Sequence, residues 1–556
     1  MIRRGEIAAH AAVTAAVAAT FARALPYPLQ RSWDDGRFIV DNPDVHEVGL
    51  RALRSILGGP HFQAYHPLHL LSYWLDVPWA GATGPVLHAT SLLLWVLAAN
   101  LLLRAMRGLG LGVAAATVAT LACALHPVQV EVVSWATGRK DVLALLLASA
   151  TVLCHLRART EGDRFAWLAR LCFALAALSK TTVLPLPAVL WSADVLLRGR
   201  RPGEALRMQL PALAIAAALA APVVLIWRDA EMVRTSAGGL LHAPARMAST
   251  WSHLLQTALW PDDNAPMYST RAVAAPEALD WVLALALLLA PWLALRLGAR
   301  RAAFSTLAFL LLSLPVSNAI PMYFPFQDRY LSLPLVALGF GLGSALEALP
   351  APGARRAGLL TSCALLAALA LRTVQYQGEW RSELSLWGHA VSTQPDAYYA
   401  WMKLGEVRRD AGDLDGAVRA YRQMVALRPQ LELGHLALLQ AVALRDEAVR
   451  GLSPSRAQTY VQQYRAALGD PDALRALAAR MLGSGHLRSL ELPLARALSL
   501  RPEPDAVLER AAARRFASGQ PSVGLFYLRQ MKTPTENPRL RALGRRAAAA
   551  QADGPL

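Results

Sequence analysis

Long apolar runs alternate with short polar segments along the chain as far as residue 375. Runs that can cross about 30 Å of hydrocarbon predict membrane-spanning helices, and the chain contains eleven of them. They cover residues 7–24, 85–103, 109–126, 141–156, 165–179, 182–197, 208–227, 281–295, 303–320, 331–349 and 358–375. Residues 246–260 are amphipathic and short, which predicts a helix that lies at the membrane interface and does not cross it.

After residue 378 the apolar runs stop, and the pattern becomes that of amphipathic helices in a soluble domain. A tetratricopeptide-like pattern begins there, with small residues where paired helices touch and a proline after the second helix. It comprises Trp401, Leu404, Gly405, Ala417, Tyr421 and Pro429. Arg408 stands where the pattern usually has tyrosine, and the stretches PLARALSLRP and SGQPSVGLFYLRQMKTP repeat the pattern weakly.

These patterns predict an all-α protein of two parts. Residues 1–377 are expected to form a polytopic membrane bundle of about eleven helices, in which residues 25–84 are the first external loop. Residues 378–556 are expected to form a tetratricopeptide-like α-solenoid of three or four helix pairs.

The charge of the chain follows the same pattern. Its 556 residues carry a formal net charge of +17, and 55% of them are hydrophobic. The arginines lie in short clusters between apolar runs, which argues against a nucleic-acid partner and matches the positive-inside rule for membrane proteins. The clusters are Arg3 and Arg4, Arg104 and Arg107, Arg157 and Arg159, Arg198–Arg201, Arg296–Arg301, and Arg355 and Arg356. With the N-terminus in the cytoplasm, all clusters are cytoplasmic and the C-terminal repeats are extracytoplasmic.

Four segments that this topology places outside the membrane carry most of the candidate chemistry. The first loop contains SWDDGRF and YHPLHLLSYWLD and is expected to hold helices on the membrane surface. The second segment reads LHPVQVEVVSWATGRKD, the third ALSKTT and the fourth PVSNAIPMYFPFQDRYLSLP. Their candidate site residues are Asp34, Asp35, His66, His126, Glu131, Arg139, Lys140, Asp141, Lys180, Asp328 and Arg329.

Acids and cations on one side of a membrane suit transfer from a lipid-linked phosphate donor. A carboxylate near the membrane surface can act as general base on an acceptor hydroxyl. Arginine can hold the anionic phosphate through paired hydrogen bonds and lysine as a point charge. The same cations can stabilise the charge that develops on the leaving phosphate.

Each motif also has a simpler interpretation. Asp34 and Asp35 can be solvated loop acids or a helix cap, and Arg329 in DRY can be an interfacial anchor. His126 can be a buried histidine with its hydrogen bonds satisfied. The histidines lack a tight metal-ligand spacing, so we assign no metal site and leave the need for a divalent ion open.

Taken together and in this order, the motifs resemble the transmembrane and tetratricopeptide repeat containing family of protein O-mannosyltransferases, in the GT-C superfamily of membrane glycosyltransferases. The matching stretches are WDD, YHPL, LHPVQVEVVSWATGRKD, LSKTT, PVSN and DRYLSLP. The resemblance covers nearly the whole chain and includes its first span. We therefore expect that span to be retained, although ARA at residues 22–24 resembles a signal-peptide cleavage site.

The resemblance implies a polyprenyl-phosphate sugar donor, an inverting transfer and an extracytoplasmic active site. It places an essential acid at Asp34 or Asp35 and a second acid at Glu131. The candidates for the donor phosphate are Arg139, Lys140, Lys180 and Arg329. The third motif departs from the family, because Thr181 stands where an acid usually follows the lysine, and the repeat array is short.

The resulting hypothesis is a transferase that moves a hexose, with mannose as first candidate, onto serine or threonine hydroxyls of a protein bound by the repeats. The use of alanine and arginine suggests a bacterial inner membrane. Two alternatives stay open: the same transfer onto a glycan or lipid head group, and a membrane-anchored scaffold without catalysis. A transporter is less favoured, because the polar residues cluster on one side and not at mid-membrane.

Overall fold

A computed structural model describes residues 4–61, 65–229, 239–269, 276–428 and 535–552, together with scattered residues between 431 and 531. The regular secondary structure in these ranges consists of helices. The chain divides into two compact units, Met1–Pro395 and Asp396–Leu556. The assignment of functional domains to residues 1–377 and 378–556 stays a prediction.

The first unit contains seventeen α-helices within the described ranges. The helices up to the second external segment are α1 (Arg4–Phe21), α2 (Leu50–Gly58), α3 (Pro67–Ser72), α4 (Val77–Ala80), α5 (Gly84–Gly108), α6 (Val113–Ala124) and α7 (Gln129–Val133). The following helices are α8 (Arg139–Glu161), α9 (Asp163–Ser179), α10 (Leu186–Leu196), α11 (Pro202–Asp229), α12 (Ala243–Leu259), α13 (Ala278–Arg296), α14 (Arg300–Ser313), α15 (Pro334–Ala348), α16 (Pro352–Gln377) and α17 (Glu383–Thr393).

Six helical segments of the described chain are long and apolar enough to cross a membrane. They are Arg4–Ala24, Gly84–Gly108, Ala136–Ala158, Pro202–Ala221, Ala278–Arg296 and Pro352–Arg381. The other predicted spans also contain helices, but α6, α10 and α15 are shorter apolar helices. A helix rises 1.5 Å per residue, so the 12 residues of α6 reach only about 18 Å. The predicted count of eleven crossings therefore stays a prediction.

Helix α6 is short but lies deep in the bundle. Nine of its residues are buried, as expected of a helix that has apolar residues on all sides and lies in a core. Two glycines of α15 permit its close approach to α6. A Cβ at Gly339 would lie 2.8 Å from the carbonyl oxygen of Ala119, and one at Gly343 would lie 2.9 Å from that of Ala115. Small residues at such contacts let helix backbones pack closely in a membrane bundle.

Helix α12 covers the amphipathic run of residues 246–260, and both of its ends contact segments predicted to be external. Arg246 donates to the carbonyl oxygen of Asn318 at 2.9 Å and to that of Ala319 at 3.0 Å. Near the other end, the carbonyl oxygen of Ala258 lies 3.2 Å from Nε2 of His126. Both ends of α12 thus contact segments predicted to lie on the same side, and the interfacial position of this helix stays a prediction.

The segment after α16 packs against the first loop, within the same compact unit. Trp387 donates to the hydroxyl of Ser32 at 2.8 Å, and Glu383 accepts from the backbone N–H of Ser32. The side-chain amide of Gln30 donates to the carbonyl oxygen of Trp380 at 2.9 Å. These contacts hold the chain that precedes Asp34 against residues 380–387.

The second unit begins with a helix pair, α18 (Tyr398–Asp410) and α19 (Leu414–Leu427), where the first repeat predicts one. Asp413 caps α19 by accepting from the backbone N–H of Gly416 at 2.8 Å. Ala417 and Tyr421 are buried between the helices. Pro429 and the stretch PLARALSLRP lie outside the described residues, as does most of SGQPSVGLFYLRQMKTP, and α20 (Pro538–Ala552) ends the described chain. The solenoid therefore stays a prediction.

Candidate functional site

The four segments predicted to be external meet at one end of the first unit. Contacts between side chains far apart in sequence join the first loop to the second, the second to the third, and the second to the fourth. These pairs are Asp35 with Thr137, Asp76 with Arg139, Asp141 with Lys180, and Glu131 with Arg329. The charged residues singled out by sequence therefore lie together as one cluster.

A tight turn sets the spacing within the second segment. A Cβ at Gly138 would lie 2.6 Å from the carbonyl oxygen of Glu131 and 2.5 Å from that of Val132. Glycine is therefore required where α7 and α8 approach each other. The turn brings Glu131 of α7 and the Arg139-Lys140-Asp141 run of α8 to the same place.

Asp35 is fully buried, and both of its carboxylate oxygens accept hydrogen bonds. Oδ2 accepts from the backbone N–H of Gln30 at 2.8 Å. Oδ1 accepts from the backbone N–H of Thr137 at 2.9 Å and from its hydroxyl at 2.6 Å. Burial raises the pKa of Asp35 to about 6, against the opposing effect of these hydrogen bonds. Asp35 thus fastens the first loop to the second.

This buried carboxyl makes stability depend on pH. Its folded-state pKa of about 6 is above the value of about 3.9 for an unfolded aspartate, so the folded protein binds the proton more tightly. The contribution of Asp35 to stability is therefore full below about pH 4, decreases by about 3 kcal/mol towards pH 6 and is constant above it. Unfolding measured from pH 4 to 7 is expected to show this slope in the original protein and not in Asp35→Asn. Parallel curves would contradict it.

Asp34 has a different environment from its neighbour. It is only half-buried, and no described residue donates a hydrogen bond to it or forms an ion pair with it. The positive charges of Lys140 and Arg329 both interact with its carboxylate through space. Asp34 is therefore an accessible carboxylate that faces cations without being bound by them.

Glu131 and Arg329 form a buried ion pair. Glu131 is fully buried and accepts from both the guanidinium and the backbone N–H of Arg329, the latter at 2.9 Å. Burial alone would lower the pKa of Arg329, but the Glu131 carboxylate raises it. The guanidinium also lies 5.2 Å from the ring centre of Trp135. Arg329 is thus a fixed, permanent positive charge at the site.

The two lysines of the site differ in the same way as the two aspartates. Lys180 forms an ion pair with Asp141, and both side chains are buried. Lys140 is also buried, but no described carboxylate lies within 4 Å of its ammonium group. That group lies 5.1 Å from the ring centre of Trp135 and 5.5 Å from that of Phe38. Lys140 is therefore a cation held by aromatic rings, with its hydrogen-bond donors free for an anion.

Arg139 is fully buried, and its guanidinium is completely engaged. Two of its N–H groups reach the Asp76 carboxylate at 2.6 and 3.2 Å. The remaining groups donate to the hydroxyl of Ser91 at 3.2 Å and to the carbonyl oxygens of Ser72 at 3.2 Å and Leu87 at 3.1 Å. Since arginine has five N–H donors, none remains for a ligand.

The two candidate histidines occupy different positions. His126 is buried, accepts from the backbone N–H of Val128 at 3.3 Å and contacts the Ala258 carbonyl, so its ring joins α12 to the second segment. His66 is half-buried, and burial together with the charges of Lys140 and Lys180 lowers its pKa to about 3. A neutral His66 therefore lies beside the cations. In the described ranges no three His, Cys, Asp or Glu side chains converge as metal ligands.

Asp328 is buried, and its carboxyl interacts electrostatically with that of Glu131. Its Oδ1 accepts from the Tyr268 hydroxyl at 2.6 Å. Burial and the charge of Glu131 raise its pKa well above that of an ordinary aspartate. Asp328 therefore belongs to a buried polar cluster in the wall of the site.

Three residues that contribute to this cluster were not singled out in the sequence. Asp76 holds Arg139, Thr137 holds Asp35, and Trp135 packs against both Lys140 and Arg329. All three lie within stretches that the sequence marks as motifs, Asp76 in YHPLHLLSYWLD and the others in SWATGRKD. Their position in these motifs could have indicated a role at the site. The residues that they contact are distant in sequence, so the contacts themselves could not be predicted.

Comparison with known proteins gives one partial similarity and no family assignment. No protein-family model matches the chain. The chain is similar to Protein O-mannosyl-transferase Tmtc2 of Drosophila melanogaster, with 30% identity over 271 residues. The matched region covers 45% of this chain, and the chain spans only 28% of that relative's length. The similarity supports a glycosyltransferase-like function at this coarse level, in a chain with several helices able to cross a membrane.

Proposed function

We propose that the chain is a membrane glycosyltransferase that moves a hexose from a polyprenyl phosphate onto serine or threonine hydroxyls of a protein. One observation carries the proposal. The ion pairs of the cluster engage Glu131 with Arg329, Asp141 with Lys180, and Asp76 with Arg139. They leave Asp34 as an acid and Lys140 as a cation without a partner in the described chain, which are the two groups that the transfer needs.

Asp34 is the proposed general base. It removes the proton from the acceptor hydroxyl as the hydroxyl oxygen attacks the anomeric carbon of the sugar. The bond between that carbon and the phosphate oxygen breaks, and its electron pair leaves with the phosphate. Attack from the side opposite the phosphate inverts the anomeric configuration. Asp35, which is fully hydrogen-bonded, positions the loop and does not take the proton.

Lys140 is the proposed direct contact of the donor phosphate. Its ammonium can donate to phosphate oxygens without first breaking an ion pair. Arg329 and Lys180 add fixed positive charge nearby, which favours the phosphate as it gains negative charge. Arg139 leaves the group of phosphate-binding candidates, because all of its donors serve Asp76 and the neighbouring backbone and hydroxyl.

An apolar cavity of about 70 Å³ lies within the bundle and supports a lipid-linked donor. It includes Val183, just after Lys180, and Leu333, a few residues after Arg329. Its lining comes from α5, α8, α10, α14 and α15 and is apolar apart from Ser149. The cavity extends from Val183 and Leu333 to Leu109 near the other end of α5, and such an apolar path through the bundle suits the isoprene units of a polyprenyl phosphate.

The setting of the reaction is part of the same proposal. The site belongs to the periplasmic face of a bacterial inner membrane, the N-terminus is cytoplasmic, and the repeats bind the protein acceptor. A scaffold without catalysis is the alternative function. The scaffold is supported by the contact between residues 380–387 and the first loop, because a loop with a purely structural role would make the same contact.

Sugar transfer by the purified full-length protein tests the proposal. Short-chain polyprenyl-phosphate sugars are offered with serine and threonine peptides, free glycans and lipid head groups as acceptors. Transfer to the peptides that disappears in Asp34→Asn supports the proposal, and transfer only to glycans or lipids replaces the acceptor class. No transfer from any donor, by a folded protein that binds partner proteins through residues 378–556, would support the scaffold.

A substitution at Lys140 is expected to affect donor binding in particular. Lys140→Gln removes a charge-assisted hydrogen bond worth about 1.5–3 kcal/mol, so the KM for the polyprenyl-phosphate sugar should rise about 10–100-fold. The KM for the acceptor peptide and the thermal stability should change little, because no described carboxylate loses a partner. The matched control is Lys403→Gln in α18, where the lysine pairs with Glu406. An unchanged donor KM would remove Lys140 from the phosphate site.

A further inference from the structure

A polar cavity lies at the opposite end of the first unit from the candidate site. It has a volume of about 200 Å³ and lies between α1, α5, α6 and α8. On α5, Ser91 contacts Arg139 at the site, whereas Arg107 lines the cavity 16 residues later, about 24 Å along the helix. On α8, Arg139 and Arg157 mark the same two ends.

The cavity has an excess of positive charge. Three arginines line it, Arg104 and Arg107 from the last turns of α5 and Arg157 from α8. Glu6 is the one acidic residue among its described lining, and it pairs with Arg107 at 3.3 Å. His10 also lines the cavity, and its Nδ1 lies 2.6 Å from Oδ1 of Asn100.

Two of these arginines are available to a ligand. Arg104 is exposed and forms no ion pair with a described residue. Arg157 is also exposed, and its guanidinium lies 4.0 Å from the Glu161 carboxylate and 5.8 Å from the ring centre of Phe165. Exposed pairs of this length contribute about 0–1 kcal/mol, so an incoming anion can displace them at little cost.

The remaining lining indicates the kind of anion. Ala9, Leu103, Val113 and Leu153 give the cavity an apolar side beside its arginines. A soluble anion has no hydrocarbon chain to pack against this apolar side. A phosphodiester that carries acyl chains can contact both the arginines and the apolar side. Basic pockets between membrane helices bind anionic lipid head groups in this way.

We propose that this cavity binds the phosphate head group of an anionic phospholipid from the leaflet opposite the candidate site. The phosphate lies between Arg104 and Arg157, and the acyl chains follow the apolar surfaces of α1 and α8. The lipid joins helices from three parts of the chain, so its binding stabilises the bundle. This site is independent of sugar transfer and does not rest on the proposed function.

The test compares lipid retention by full-length protein variants in nanodiscs of phosphatidylcholine and in nanodiscs with an equal mixture of phosphatidylcholine and phosphatidylglycerol. Native mass spectrometry counts the phosphatidylglycerol that stays bound, and thermal unfolding reports its stabilisation. The double variant Arg104→Gln with Arg157→Gln should lower phosphatidylglycerol affinity at least about tenfold, as expected for lost charge-assisted hydrogen bonds. It should also remove the thermal stabilisation by that lipid.

A second double variant, Arg355→Gln with Arg356→Gln at the start of α16, is the matched control and should retain the lipid. Equal loss in both double variants would indicate a general basic surface and overturn the proposal. Inorganic phosphate is added to the protein in detergent as a further arm. Stabilisation by inorganic phosphate equal to that by phosphatidylglycerol would identify a site for free phosphate and also overturn it. Both arginines in the test are exposed, so the variants are expected to fold.

Discussion

The Asp34→Asn variant is expected to lose sugar transfer by about 10²–10⁴ in kcat, the usual contribution of a general base. The donor KM should stay unchanged, since asparagine keeps the size of the side chain and the described cations keep their positions. Thermal stability should also stay unchanged, because the half-buried Asp34 accepts no hydrogen bond from a described residue. Steady-state kinetics and a thermal unfolding curve of the same preparation give all three quantities.

The neighbouring acid provides the control. Asp35→Asn should lower kcat by about tenfold or less. Thr137→Val should have a similar effect, because both variants remove hydrogen bonds that position the loop. The general-base role of Asp34 also predicts that Asp34→Glu, which keeps a carboxylate, retains more activity than Asp34→Asn. If Asp35→Asn abolished transfer in a folded protein while Asp34→Asn retained it, the two roles would have to be exchanged.

The Arg139→Met variant is expected to lower the stability of the first unit by about 3–5 kcal/mol. It leaves the Asp76 carboxylate buried without its counter-ion, which is the costly way to break a buried ion pair. The backbone carbonyls of Ser72 and Leu87 lose a donor at the same time. The measurement is chemical or thermal unfolding of the purified protein in detergent.

Replacing both partners separates this effect from a role in donor binding. Arg139→Met with Asp76→Leu removes both charges and should recover most of the lost stability, because an apolar pair can replace a buried ion pair at little cost. A stable Arg139→Met protein with a raised donor KM would instead return Arg139 to the phosphate site.

The distinction between Asp34 and Asp35 illustrates what the motifs could not resolve. The sequence places both acids in the first loop without a difference between them. Their environments differ because Gln30 and Thr137, the latter 102 residues after Asp35, donate hydrogen bonds to Asp35 and not to Asp34. The same holds for Lys140 and Lys180: only the distance to Asp141 indicates which lysine is paired.

The number of membrane crossings shows a different limit. The apolar runs located the helices, but α6, α10 and α15 are shorter than the hydrocarbon core of a bilayer, so their apolar character does not by itself show that they cross it. The close contact of α6 with the glycines of α15 buries it inside the bundle. An apolar run indicates only that a segment is excluded from water. Contact with lipid and burial inside the protein both exclude water.

By itself, the sequence determined where the helices lie and which segments carry the charged residues of the candidate site. Both properties are local, because helix formation and burial depend on the spacing of apolar residues along a few turns. Only the tertiary structure decided which charges neutralise one another. Glu131 and Arg329 are 198 residues apart and meet in the fold, and electrostatic pairing depends on distance in space and on the exclusion of water. That pairing leaves Asp34 and Lys140 free, and so it selects the residues for the proposed chemistry.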